Sequence, residues 1–266
     1  MSASNILSMT LSLFLFFGNG FFTQAFSPEM QRYIEKHSFE TGDNFQKCGN
    51  TIILMYHTFV EEGEPTAEQD SLYTTADKLA EDIDKLQQAG YHSISLWAYR
   101  MGLFDPEEKY FILTLDDGYE TNYTIAYPVL VEKGVYADIF ANTEMMGQAG
   151  HLTWDMCREM EASGRVHVYS HLNTHEKATS LSEGEQRYWL EISVSALERE
   201  LGEKRIWGMS YPYGDYDRAV FDVYRNLGAS FQLVQGQQFD DPELLVRINV
   251  PYSADMNDII EEAVHN

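Results

Sequence analysis

The feature that most constrains the fold of this chain is a regular alternation of short apolar runs with helix-like segments. The apolar runs are typical of buried strands and occupy residues 51–56, 91–96, 110–115, 135–141, 166–169, 205–211, 230–234 and 244–250. Segments with helical periodicity occupy residues 75–89, 119–134, 153–163, 181–201 and 217–227. This alternation predicts parallel strands joined by right-handed crossovers. With seven or eight strands and no internal repeat or long linker, we predict an α/β fold, a single-domain distorted (β/α) barrel of about seven parallel strands.

Polar residues stand at the ends of several predicted strands. In parallel α/β folds these ends meet at one rim, where functional groups gather. The residues concerned are His57, Asp116, Asp117, Ser170, His171 and His175, with the segment YPYG at 211–214. Each is a weak indication alone, because a lone histidine is more often structural and a His-x-x-x-His spacing can arise by chance among eight histidines. Together they predict a carboxylate pair and two or three histidines on one rim.

Asp116 and Asp117 are adjacent carboxylates that repel each other after a predicted strand. Asp-Gly at 117–118 is a common hairpin turn, so a plain turn is the alternative. The following residues fit a helix that ends at Gly134, and we therefore expect the pair in a strand-to-helix loop. One carboxylate with two histidines is a standard ligand set for a catalytic divalent metal. Such a cation would neutralise one aspartate, and its neighbour could then act as a base.

The composition narrows the class of ligand. Apolar residues make up 44% of the 266 residues, enough for a sizeable core. The formal net charge of −24 would repel a nucleic acid, so we expect no nucleic-acid partner. The acidity is consistent with solubility or a salty setting, and also with attraction to a cationic ligand or product.

The N-terminal segment resembles a targeting sequence. Residues 6–17 are almost wholly apolar, and Thr23-Gln24-Ala25 places small residues at the −3 and −1 positions of a cleavage site. We therefore predict a signal peptide at 1–25, a polar lead-in at 26–50 and a catalytic domain at 51–266. The chain would then be secreted, periplasmic or exposed at the cell surface. No Lys or Arg precedes Arg32, so an uncleaved membrane anchor is the alternative, and only in that case do we expect a membrane partner.

The chain has two cysteines, Cys48 and Cys157. Export would permit a disulfide between them. Nothing in their spacing shows that they meet, and they do not form a zinc-site pattern with the histidines.

Three segments resemble the motifs of one known family. LTLDDG at 113–118 is similar to the Thr-Phe-Asp-Asp-Gly motif of the polysaccharide deacetylases, the NodB-homology fold of carbohydrate esterase family 4. SHLNTH at 170–175 is similar to the His-x-x-x-His metal motif of that family, and SYPYGDY at 210–216 to its Pro-Tyr-Gly motif. The resemblance extends from about residue 51 to about residue 250. LMYH at 54–57 looks most like the branch that acts on poly-β-1,6-N-acetylglucosamine.

This resemblance implies a hydrolase that removes N-acetyl groups from an N-acetylglucosamine-containing polysaccharide and releases acetate. It implies that Asp117, His171 and His175 hold a divalent metal, most often Zn²⁺, with Co²⁺, Ni²⁺ or Fe²⁺ as alternatives. Asp116 would be the general base, and the backbone N–H of Tyr213 would bind the oxyanion. His57 is the candidate for the general acid or for a substrate contact, with a structural histidine as the alternative.

The chain departs from the family pattern at three places. Leu172 follows the first metal histidine where Ser or Thr is common, and residues 207–210 contain no Arg ahead of Pro-Tyr-Gly. A late Leu-x-x-His motif, which would carry the general acid, has no clean match. These departures leave two alternatives open: a member that binds glycan without turnover, and a metal amidohydrolase that acts on a small acyl-amine.

Overall fold

The computed structural model describes residues 48–64, 72–204, 206–236 and 239–265. The predicted signal peptide and most of the predicted lead-in lie outside these residues. Among the helices that the structure describes, none combines the length and the apolar composition needed to cross a membrane.

Ten strands and seven α-helices organise the described chain. The strands are β1 (Thr51–Tyr56), β2 (Thr58–Val60), β3 (Tyr73–Thr75), β4 (Tyr91–Ser93), β5 (Lys109–Asp117), β6 (Ala137–Ala141), β7 (Val166–Ser170), β8 (Gly208–Ser210), β9 (Phe231–Gln235) and β10 (Leu244–Asn249). The helices are α1 (Ala76–Gln88), α2 (Leu96–Arg100), α3 (Tyr127–Lys133), α4 (Trp154–Ala162), α5 (Glu183–Leu201), α6 (Arg218–Asn226) and α7 (Met256–His265). A π-helical turn (Asn122–Ala126) leads into α3, and a 3₁₀ turn (Pro212–Gly214) follows β8.

Seven of these strands close into a parallel barrel. Their order is β1-β10-β9-β8-β7-β6-β5, and β5 pairs back onto β1. β4 adds to the first half of β5, and β2 and β3 form a separate small parallel sheet. The predicted α/β barrel of about seven parallel strands is confirmed.

The closing pair of strands fixes which residues share a level on the rim. β1 and β5 run in register from Thr51 opposite Tyr110 to Tyr56 opposite Leu115. His57 directly follows Tyr56, and Asp116 directly follows Leu115. The closure of the barrel therefore brings these two predicted site residues to the same end of adjacent strands.

The two faces of each barrel strand form different parts of the core, as the alternation of side chains along a strand requires. Ile139 and Val168 face outward and belong to the cluster that packs against the surrounding helices. Phe140, Tyr169 and Phe231 face inward. The ring centroids of Phe140 and Phe231 are 6.4 Å apart although β6 and β9 are not neighbours, so aromatic side chains fill the barrel from wall to wall.

Some sequence predictions are corrected by the structure. The aspartate pair does not lie in a loop, because β5 continues through Asp117, which pairs with Ala141 on β6. The strand predicted at 91–96 ends at Ser93, since the Ser95 side chain accepts a hydrogen bond from the backbone N–H of Ala98 and caps α2. The strand predicted at 205–211 is reduced to β8. The β2–β3 sheet and α7 were not predicted.

The two cysteines remain free thiols, and both are buried. Burial raises the pKa of the Cys157 thiol to about 12, so this sulfur stays protonated and behaves as an apolar group. The disulfide that export would permit does not form in the structure.

Candidate active site

The register of β5, β6 and β7 brings the predicted metal-binding residues to one point of the rim. Asp117 pairs with Ala141, and Ala141 pairs with Ser170. His171 follows Ser170, and its backbone N–H donates to the Ala141 carbonyl at 2.9 Å. A loop then returns His175 to the same place, where its ring centroid lies 5.2 Å from that of His171.

Asp117, His171 and His175 converge on a common point. The Nε2 atoms of both histidines lie 3.3 Å from Oδ1 of Asp117. Each residue offers a ligand atom within 4.8 Å of the other two. Two donors bound to one zinc ion at about 2.1 Å lie roughly 3.4 Å apart in a tetrahedral site. The spacing of these three side chains therefore fits a single divalent cation.

The environment of Asp117 and His171 favours a positive charge at this point of the rim. Burial by itself would raise the pKa of Asp117, but the close imidazole groups of His171 and His175 hold it far below its ordinary value. Burial would lower the pKa of His171, yet the charges of Asp116 and Asp117 raise it. Oδ1 of Asp117 is buried with no hydrogen-bond donor of acceptable geometry among the described residues. A carboxylate oxygen left in this condition suits a metal ion.

Ser210 orients the ring of His171. Ser210 is the last residue of β8. Nδ1 of His171 lies 2.9 Å from the carbonyl oxygen of Ser210 and 2.5 Å from Oγ of Ser210. A proton on Nδ1 is thereby held toward Ser210, which leaves Nε2 to face Asp117. Such an outer partner fixes the tautomer and raises the basicity of a metal-binding histidine. The sequence did not predict this role for Ser210.

Asp116 is held by a buried arginine. Arg247, on β10, donates from Nη1 to Oδ1 and from Nη2 to Oδ2 of Asp116, each at 2.7 Å, and both side chains are almost fully buried. Nη1 also donates to Thr114 Oγ1 at 3.1 Å. Burial alone would raise the pKa of Asp116, but the charge of Arg247, followed by that of His171, lowers it below its ordinary value. Asp116 is therefore an ionised carboxylate with a fixed orientation.

Arg247 corrects the expectation that this chain lacks an arginine for its base. No arginine precedes Pro-Tyr-Gly, but a distant strand supplies one. The segment LLVRIN at 244–249 contained a usable signal, because a charged residue flanked by apolar residues in a buried strand must find a partner. Sequence reasoning treated this strand only as an apolar run.

His57 and Tyr213 flank the group. His57 is mostly buried; burial lowers its pKa, although Asp116 and Asp117 act in the opposite direction, so the ring is neutral near pH 7. Its Nδ1 is buried without a hydrogen-bond partner in the part of the chain that the structure describes. Tyr213 is 64% exposed, and its ring centroid lies 4.4 Å from that of His175.

Left-handed backbone is concentrated at this rim. Among the described non-glycine residues, the positive φ angles are those of Asp117 (70°), Leu172 (63°) and Tyr213 (60°). Gly118 follows with φ 72°, and a Cβ there would lie 2.9 Å from the Cβ of Ala141. Such conformations cost about 1–3 kcal/mol each and cluster where function requires them. Asp117 and Tyr213 belong to the predicted site, and Leu172 lies between its two histidines along the chain.

The family model described as Polysaccharide deacetylase matches residues 103–231. The chain carries a polysaccharide deacetylase domain. The matched segment includes the aspartate pair, both histidines of the candidate metal site and Tyr213. His57 and Arg247 lie outside it: His57 directly follows β1, and Arg247 lies on β10.

One curated relative matches a large part of this chain in sequence. A Bacillus subtilis (strain 168) protein named "Putative polysaccharide deacetylase YxkH" is 27% identical over 186 residues, which cover 69% of this chain and 63% of that protein. The chain thus spans less than two thirds of the length of that relative.

Solved structures of deacetylases superpose on most of the chain. The Streptococcus pyogenes deacetylase PplD, in complex with acetate, gives a TM-score of 0.71 at 21% identity, covering 79% of this chain and 96% of that one. IcaB from Ammonifex degensii gives a TM-score of 0.67 at 22% identity, covering 80% of this chain and 97% of that one. At this identity the likeness shows a shared fold, which is the NodB-like barrel.

Proposed function

We propose that this chain is a metal-dependent N-deacetylase that hydrolyses N-acetyl groups of an N-acetylglucosamine-containing polysaccharide and releases acetate. The observation that carries the proposal is the convergence of Asp117, His171 and His175 beside a carboxylate, Asp116, that Arg247 holds ionised. Relatives support the chemistry: PplD is described in complex with acetate, and a structural neighbour from Aggregatibacter actinomycetemcomitans is described as a de-N-acetylase.

Asp117, His171 and His175 would hold the divalent cation, for which Zn²⁺ is the first choice given two imidazoles and one carboxylate. A bound divalent cation supplies Lewis acidity, which activates water at neutral pH and polarises a carbonyl group. Asp116, adjacent in sequence but held on Arg247, would accept the proton of the attacking water. Because Arg247 engages both oxygens of Asp116, it fixes the direction from which that proton arrives.

Tyr213 and His57 would act on the other parts of the acetamide. The backbone N–H of Tyr213 is proposed to donate to the oxyanion that forms when the carbonyl carbon is attacked. His57 is neutral at rest. We propose that it contacts the sugar or the departing nitrogen, and as a general acid it would first have to gain a proton. Collapse of the tetrahedral centre breaks the C–N bond, leaving acetate and a free amine on the sugar.

The alternative that this chain binds glycan without turnover has less support once the structure is considered. That alternative depended on a missing arginine and a missing acid motif. Arg247 supplies the arginine from β10 with a bidentate contact to Asp116. A metal amidohydrolase that acts on a small acyl-amine uses the same catalytic groups, so the substrate must be decided by assay.

The decisive experiment measures acetate release by the purified, metal-loaded protein. The substrates are chitin oligomers, β-1,6-linked N-acetylglucosamine oligomers and peptidoglycan, with N-acetylglucosamine as the small acyl-amine. We expect acetate from at least one polymer, and almost none from an Asp116→Asn variant. Acetate from the monosaccharide alone would favour the amidohydrolase. Binding of a polymer with no acetate from any substrate would contradict turnover.

A further inference from the structure

Leu172 separates the two metal-site histidines along the chain and has an unusual backbone. Its φ is 63°, in the left-handed region, and its side chain is fully buried in the cluster beneath α5 and α6. A leucine gains nothing from this conformation, since its Cβ crowds the following carbonyl oxygen there. The direction of the chain from His171 to His175 depends on this turn, so the surrounding contacts must hold it.

Three of the backbone groups at His171 and Leu172 are held by β6 and the residues after it. The His171 N–H donates to Ala141, as described above, and the His171 carbonyl accepts from Nδ2 of Asn142 at 2.6 Å. The Leu172 carbonyl accepts from the Thr143 N–H at 3.3 Å. These contacts come from β6 and the two residues after it, and they leave the Leu172 N–H for a different partner.

The Leu172 N–H donates to Oγ of Ser170 at 3.0 Å. Oγ of Ser170 in turn shares a hydrogen bond of 2.8 Å with Oγ of Ser193, which lies on α5. Ser170 and Ser193 are both buried, with exposures of 1% and 0%. Because Oγ of Ser170 accepts the Leu172 N–H in a buried place, its own hydroxyl proton also needs a hydrogen-bond partner. The hydroxyl of Ser193 meets that need and fixes the rotamer of Ser170.

We propose that Ser193 is a positioning residue for the metal site and acts through Ser170 on the left-handed turn at Leu172. The inference rests on the proposed function, because it takes His171 and His175 as metal ligands. Loss of the Ser193 hydroxyl frees the rotamer of Ser170 and leaves the Leu172 N–H without a fixed acceptor. The turn then samples other conformations, and the two histidines spend less time in ligand geometry.

The test compares Ser193→Ala with Ser195→Ala, which removes an exposed hydroxyl two residues along the same helix. Co²⁺ is titrated into metal-free protein, and the dissociation constant is read from the visible absorption of the bound ion. Outer partners of metal ligands are typically worth about 10–100-fold in affinity, and we expect Ser193→Ala to bind Co²⁺ about tenfold more weakly. Ser195→Ala should match the unmodified protein.

A double-mutant cycle tests whether Ser193 acts through Ser170. If Ser193 acts through Ser170, the pair Ser170→Ala plus Ser193→Ala should bind Co²⁺ no more weakly than Ser170→Ala alone. Independent losses that multiply would overturn this route, as would unchanged affinity in Ser193→Ala protein with native far-UV circular dichroism.

Hydrogen exchange in metal-free protein gives a second readout that needs no bound ion. The peptide containing Leu172 should exchange faster in Ser193→Ala than in Ser195→Ala, while peptides from β9 and β10 stay unchanged. Equal exchange in the two variants would overturn the proposal. If the unmodified protein bound no Co²⁺, the proposed function and this inference would both fail. If it bound Co²⁺ and Ser193→Ala bound it equally tightly, only this inference would fail.

Discussion

Arg247 and Asp116 face each other inside the barrel with two hydrogen bonds of 2.7 Å, although their strands, β10 and β5, are not neighbours. β1 lies between them in the sheet. The ion pair therefore spans one strand of the closed barrel, and Cζ of Arg247 also lies 5.7 Å from the ring centroid of Phe140. Closure of the barrel and orientation of the proposed base are consequently coupled.

The first prediction concerns this pair. Replacing Arg247 removes the charge that outweighs the burial of Asp116, so the pKa of Asp116 should rise. Because the base acts in its deprotonated form, the acidic limb of the kcat/KM profile should move to higher pH. Arg247→Lys keeps the charge but loses the two-point contact, and it should show a smaller shift than Arg247→Met.

Stability measurements accompany that prediction. An unpaired buried carboxylate costs about 3–5 kcal/mol, so Arg247→Met should unfold at lower urea concentration. The pH profiles of Arg247→Met and Arg247→Lys are therefore measured on protein shown to be folded, and Arg218→Lys, at an exposed ion pair, is the control. An acidic limb that stays in place in folded Arg247→Met protein would contradict the role of Arg247.

The second prediction separates the roles of the adjacent aspartates. Asp117→Asn weakens a proposed ligand and should lose metal affinity, with partial recovery of rate at high metal concentration. Asp116→Asn keeps its shape and should keep its metal, but its kcat should fall about 10²–10⁴-fold because positioned proton transfer is lost. Metal content is measured by elemental analysis alongside initial rates. The reverse pattern would exchange the two roles, and full activity with full metal content in both variants would leave the pair as a structural feature.

The third prediction concerns Asp138, which is fully buried in the barrel interior two residues before Phe140. Its Oδ2 accepts from the Leu96 N–H at 2.8 Å, and its Oδ1 has no donor among the described residues. Burial raises the pKa of Asp138 from 3.8 to about 7. Between these values the native state keeps a proton that the unfolded chain has released, so this residue reduces stability as the pH rises from about 4 to about 7.

Asp138→Asn removes this ionisation while keeping an acceptor for Leu96. We expect its stability relative to the unmodified protein to grow from about pH 4 to about pH 7 and to level off above that, by about 4 kcal/mol in total. Urea unfolding at several pH values measures the difference. Asp240→Asn, at an exposed carboxylate, is the control. A stability difference that does not change with pH would show that Asp138 does not titrate in this range.

The fourth prediction concerns export. We propose that residues 1–25 direct the chain out of the cytoplasm and are removed, so the exported protein should begin at or near Phe26. Mass spectrometry of the N-terminal peptide checks this. Ala25→Arg places a large charged residue at the −1 position and should block cleavage. An exported product that keeps Met1 to Ala25 would instead favour an uncleaved anchor.

The sequence by itself determined the strands and helices that depend on local residue patterns. β1, β5 and β7 are apolar runs and α5 has helical periodicity, so their positions were predicted to within a few residues. Asp116, Asp117, His171 and His175 were found for a related reason. They lie at the ends of β5 and β7 or within a few residues of them, and parallel strands bring their carboxyl ends to one rim whatever the finer packing.

Only the tertiary structure decided the partners of these residues. Arg247 and Asp116 are separated by 131 positions, and Ser193 and Ser170 by 23, so no local periodicity links them. The order of strands in the barrel and the register of each pair choose these contacts. A buried charge or hydroxyl must be satisfied by whichever group the closed barrel places beside it. The sequence thus located the proposed catalytic groups, whereas barrel closure determined what holds them.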